Sequence, residues 1–122
     1  MTDDYISKTA RSANTFLKRW QGADVLVREL RVSHRTLEIV LFRSRDEMAT
    51  RNLVLGLYPL WFEGSFEWSD CGMTVSVAEG GAVPSPGGST RDRVFELRDD
   101  GSAFRCFTEY LSVAEHSRLR PH

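Results

Sequence analysis

The segment Thr36 to Phe42, TLEIVLF, constrains this chain most, because it is apolar on both sides. As a strand it puts Leu37, Ile39 and Leu41 on one face and Val40 and Phe42 on the other, since successive strand side chains point in opposite directions. One helix is available to cover it. Thr2 before Asp3 and Asp4 has the form of a cap, with carboxylates at the positive end of the helix dipole. Ile6, Ala10, Ala13, Leu17 and Trp20, flanked by Phe16, then form one helical stripe opposite Lys8, Arg11, Thr15 and Lys18, and Gly22 suits the stop. The pattern predicts an amphipathic helix over about residues 3–21. A helix covers only one face of a sheet, so the sheet must curl into a barrel or half-barrel, or take a second layer or a partner subunit on its other face.

The remaining segments read as short strands. ADVLVRELRV and TLEIVLF form a hairpin across Ser33-His34-Arg35, and SRDEMATR is a polar interval. NLVLGLYPL resumes as a strand with Pro59 near its end or at an edge, because proline cannot donate to a ladder. Glu63-Gly64-Ser65 stands as a tight turn between two aromatic arms, and MTVSVAE alternates cleanly. GGAVPSPGGST, residues 80–90, is a solvated loop that can be shortened. RVFELR and AFRCFTEYLSV form a last hairpin on Asp99-Asp100-Gly101, with glycine supplying a positive φ, and EHSRLRPH frays. The fold class is therefore α+β: an N-terminal amphipathic helix packed on a strongly curved, mostly antiparallel sheet, barrel-like or half-barrel, of about six or seven strands. At 122 residues the length matches a single domain, 1–122.

Composition excludes more than it assigns. With 41% hydrophobic and 27% charged residues the chain is globular rather than disordered. A net charge of −1 gives no basic surplus for nucleic acid. No segment has the length of a secretory signal or a membrane span, so a cytoplasmic location and no membrane partner are expected. Cys71 and Cys106 are too few for a disulfide scaffold and are expected as free thiols.

No catalytic set, metal site or cofactor motif emerges. His34, His116 and His122 are isolated, and neither cysteine has a second cysteine or a histidine two to four residues away. Ser65 lacks the surroundings of a nucleophile elbow, and the glycine-rich 80–90 segment lacks the lysine of a phosphate loop.

What remains is LYPLWFEGSFEWSD, which carries Tyr58, Trp61, Phe62, Phe66 and Trp68 beside Glu63, Glu67 and Asp70. From Asn52 to Thr90 there is no Lys or Arg, and Glu79 brings the segment to net −4. One strand face cannot bury all five aromatics. Phe62, Phe66 and Trp68 are expected inside, and Tyr58 or Trp61 at the rim. The residues Tyr58, Trp61, Glu63, Glu67, Trp68 and Asp70 are the candidate partner-binding surface, fitted to a basic protein through cation–π contact and charge pairing. The succession of short strands with a tryptophan-bearing turn is similar to small bacterial proteins and to immunity proteins that neutralise toxins. That similarity assigns no residues, and the binding role follows instead from the absence of a catalytic set together with the local charge asymmetry. The expected function is a non-catalytic binding protein of inhibitor or immunity type. Two alternatives stay open: a small-molecule or enzymatic pocket in the curved sheet lined by Glu63, Glu67, Tyr58 or Cys71, and a homodimer subunit that buries the same aromatics.

Overall fold

The computed structural model describes residues 5–31, 36–43, 52–84 and 91–116. The expected cap at residues 2–4, the hairpin tip with His34, the interval 44–51 and the tail 117–122 lie outside them. Helix α1 spans Tyr5–Arg19. Ala10, Ala13, Leu17 and Trp20 are buried, with Ile6 and Phe16 packed against them, while Lys8, Arg11, Thr15 and Lys18 are exposed. The helix ends as its stripe runs out. Trp20 N–H donates to the Leu17 carbonyl at 3.0 Å, and Gly22 takes φ +86°, a left-handed conformation that costs glycine little.

Among the described residues seven strands follow: β1 (Asp24–Arg31), β2 (Thr36–Phe42), β3 (Asn52–Glu63), β4 (Glu67–Trp68), β5 (Thr74–Glu79), β6 (Arg93–Asp99) and β7 (Phe104–His116). Every pairing is antiparallel, in the order β4-β1-β2-β3-β7-β6-β5. The sheet curls without closing, so it takes the half-barrel form. Leu37, Ile39 and Leu41 share one core with α1 and with Leu53, Leu55 and Leu57. The opposite side is apolar as well. Val40 and Phe42 are buried there, and a smaller cluster of Val83, Val94 and Phe107, with Leu60, Trp61 and Ala78 against it, forms further along.

That second cluster corrects the reading of a solvated loop for residues 80–84; the rest of that segment, residues 85–90, lies outside the described residues. Gly80–Ala82 form a 3-10 turn, the buried Gly80 donates its N–H to the Asp92 carbonyl at 2.8 Å, and Val83 is buried against Val94 and Phe107. One valine among glycines and prolines suffices, because the sheet side facing it is apolar and needs a cover.

Pro59 lies within a longer strand than the sequence indicates, at a local edge of the described sheet. Among the described residues β2 pairs with β3 only as far as Leu57, which leaves β7 as the described strand neighbour of Pro59, and the register shifts on both sides of it. Thr108 repairs the ladder there. Its buried hydroxyl accepts from Tyr58 N–H at 3.0 Å and lies 2.7 Å from the Tyr58 carbonyl and 2.8 Å from that of Tyr110, to either of which it can donate.

The β6–β7 hairpin turns on a longer loop than expected. Asp99 pairs with Phe104, and the residue at positive φ is Ala103, at +62°, rather than Gly101. With residues 100–103 in the loop, the left-handed position moves to its last residue. At the β5 edge of the sheet, beside β6, α1 meets β5 through Asn14. Its amide donates to the Val75 carbonyl at 2.7 Å and accepts from Val75 N–H at 2.8 Å.

Candidate functional site

The two aromatic arms around Glu63-Gly64-Ser65 do not pair with each other, which corrects the reading of a tight hairpin turn. β3 stays with β7, whereas β4 crosses to β1, where Trp68 opposes Val25 and Glu67 opposes Leu26. The link between them is an arch. Gly64 at its start has φ +110°, and a Cβ there would fall 2.6 Å from both the Ala103 carbonyl oxygen and the Phe104 Cα. Glycine is required on both counts, conformation and space.

The arch sorts its side chains differently from the expectation. Phe62 and Phe66 were expected inside, yet they are 36% and 55% exposed and meet edge to face with centroids 5.8 Å apart. With β4 joined to β1, Phe66 falls on the unpaired crossing, where its carbonyl accepts from Val27 N–H at 2.7 Å and its ring stands outside the core. Trp68 is half-buried. Its ring packs on Phe104 at 5.1 Å, and its indole N–H donates to Asp99 at 2.7 Å. Glu63, Glu67 and Asp70 are all exposed.

Tyr58 and Trp61 belong to the side of the sheet away from α1. Tyr58 is 48% exposed and contacts Tyr110 at 5.5 Å, while Trp61 is half-buried on Phe107 at 6.0 Å. The register shift beside Pro59 puts both Leu60 and Trp61 into that smaller cluster. The six candidate residues therefore divide: Glu63, Glu67, Trp68 and Asp70 go with the arch, and Tyr58 and Trp61 go with the far side.

The pocket imagined for the curved sheet is not assembled from its proposed residues. Cys71 is buried in the helix-facing core, Glu63 and Glu67 are exposed, and Tyr58 lies on the other side. Burial pushes the Cys71 thiol up to about 11, with Asp99 and Asp70 adding to the effect against the Met73 N–H. Burial alone takes Cys106 to about 12. Both are free thiols held protonated near neutral pH, the inert state of a structural cysteine. A groove of about 340 Å³ runs between α1 and β5 over Leu17 and Met73, but the amides of Asn14 and Gln21 that border it are bonded to backbone carbonyls. Among the described residues no group of three His, Cys, Asp or Glu could hold a metal ion, and no helix is long and apolar enough to cross a membrane.

Sequence reasoning missed Asp99, taken only as a turn residue. Its carboxylate, 1% exposed, accepts from Trp68 Nε1 at 2.7 Å, Gly72 N–H at 2.9 Å and Gly101 N–H at 3.2 Å. Only the last of these is local, the bond an aspartate makes to the backbone two residues on. Compared with family models, curated proteins and solved structures, the chain finds no match in any of the three.

Proposed function

We propose that this chain is a non-catalytic protein-binding module, of inhibitor or immunity type and acting in a reducing compartment such as the cytosol, whose contact surface is the arch from Phe62 to Asp70. The observation that carries the reading is the exposed Phe62–Phe66 pair flanked by the exposed carboxylates of Glu63, Glu67 and Asp70. Exposed phenylalanine is unfavourable in water unless a partner covers it. A guanidinium over Phe66, with a carboxylate beside it, would satisfy both the ring and the acid, so the fitting partner is a protein segment bearing arginine or lysine. The protonated buried thiols favour a binding role over nucleophilic chemistry.

The test is capture of partners on immobilised parent protein beside two variants, Phe66→Ala and the double change Glu63→Lys with Glu67→Lys. A basic protein retained by the parent, released by raised salt, associating more slowly with the double variant and leaving Phe66→Ala faster is the expected result. Equal retention by all three proteins overturns the reading.

A further inference from the structure

We infer that Asp99 is the positioning residue of the arch: it holds Trp68 and Gly72 so that Phe66, Glu67 and Asp70 keep one shape before any partner arrives. The inference rests on the arch being the contact surface. Asp99 stands at the end of β6, yet its Oδ2 takes N–H groups from β4 and from the segment after it, about thirty residues earlier in the chain. Its Oδ1 accepts from Gly101, so the same carboxylate also shapes the β6–β7 loop. Ala103 of that loop is the backbone against which Gly64 closes. Both ends of the arch are thus fastened to the 99–104 loop. The carboxylate is well suited to this task, because hydrogen bonds to a charged acceptor are about twice as strong as neutral ones. The two non-glycine residues at positive φ among those described, Asp70 and Ala103, belong to these same two segments. A preorganised loop loses less conformational freedom on binding, so the latch acts on affinity as well as on stability.

Amide exchange on the free protein tests the latch without a partner. In Asp99→Asn, which keeps the shape but loses the charge and one acceptor, the Gly72 and Gly101 amides and the Trp68 indole should exchange about tenfold faster, with Leu41 and Val94 unchanged. Equal acceleration at Leu41 and Val94, or none at Gly72, overturns the inference. If Asp99→Asn fails to fold, Trp68→Phe serves: it keeps the ring on Phe104 and drops the donor, and Gly72 should again exchange faster while Leu41 does not; an unchanged Gly72 overturns the inference. Against a captured basic partner, Asp99→Asn should raise Kd about tenfold. Parental Kd for Asp99→Asn where Phe66→Ala weakens binding overturns the positioning role alone; parental Kd for Phe66→Ala overturns the contact surface itself.

Discussion

Helix α1 and the arch from Phe62 to Asp70 both attach to the curled sheet, one mainly by area and the other by direction. The helix lays Ala10, Ala13, Leu17 and Trp20 on the core, and apart from the Asn14 amide on Val75 its polar contacts trim its end: the Trp20 indole donates to Glu115 at 2.7 Å, and the Arg43 guanidinium lies over the Trp20 ring at 5.2 Å while donating to the Arg19 carbonyl. The arch has little such area. A carboxylate, a close glycine and one aromatic stack fix it. Apolar burial tolerates small displacements because it is non-directional, whereas hydrogen bonds weaken steeply once misaligned. The helix therefore supplies stability and the arch supplies a shape.

The largest effect should come from the helix side. Leu17→Ala and Trp20→Ala should each cost about 2 to 5 kcal/mol in chemical denaturation, against little for Lys8→Ala. Values near those of Lys8→Ala for the stripe would mean that α1 is not held by area. Next comes Gly64→Ala, expected to cost about 2 to 3 kcal/mol from the left-handed backbone and the collision with Ala103. A neutral Gly64→Ala would show that the arch start can shift freely.

The two thiols sharpen the contrast by pH. Both are raised in the folded state from 9.0, to about 11 for Cys71 and about 12 for Cys106. Above pH 9 the unfolded chain therefore binds fewer protons than the folded one, and stability is lost as pH rises. It is fully present below about pH 9 and gone above the folded values. Alkylation followed across that window should label Cys71, the less raised thiol, before Cys106; the reverse order would contradict that ranking.

Smaller changes test the strain and the surface. Ala103→Gly should stabilise by about 0.5 to 1 kcal/mol in thermal or urea unfolding, because glycine accepts the positive φ that alanine resists. Phe66→Ala should leave stability within about 0.5 kcal/mol of the parent, as befits an exposed ring; a larger loss would make Phe66 a structural residue.

The same contrast decides what could be read from the residues in order. The α1 stripe, the β1–β2 hairpin and the alternation of Met73, Val75 and Val77 depend on neighbours along the chain, and each is where the pattern put it. So is the two-sided apolar character of Thr36 to Phe42, which led to a curled sheet. The arch depends on residues far away. Nothing near Phe66 announces that Glu67 and Trp68 pair with β1, and nothing near Asp99 announces the indole it binds. Pro59 inside β3 depends on Thr108 opposite it, and Val83 depends on the apolar face it covers. Of the candidate surface, the acids were legible as exposed and one of Tyr58 and Trp61 as a rim residue, whereas the exposure of Phe62 and Phe66 required knowing which strand β4 would choose.

Asn14 has a consequence for how this protein meets copies of itself. A sheet that ends in open N–H and C=O groups can template another strand, and repeated addition of that kind builds fibres. At the β5 end the growth point at Val75 is already filled by a side-chain amide that imitates a neighbouring strand in both donor and acceptor. At the β4 end the template is only two residues long. The chain thus blunts each margin at one place, at Val75 with an amide borrowed from a helix and at β4 by brevity, and both features work against strand addition there.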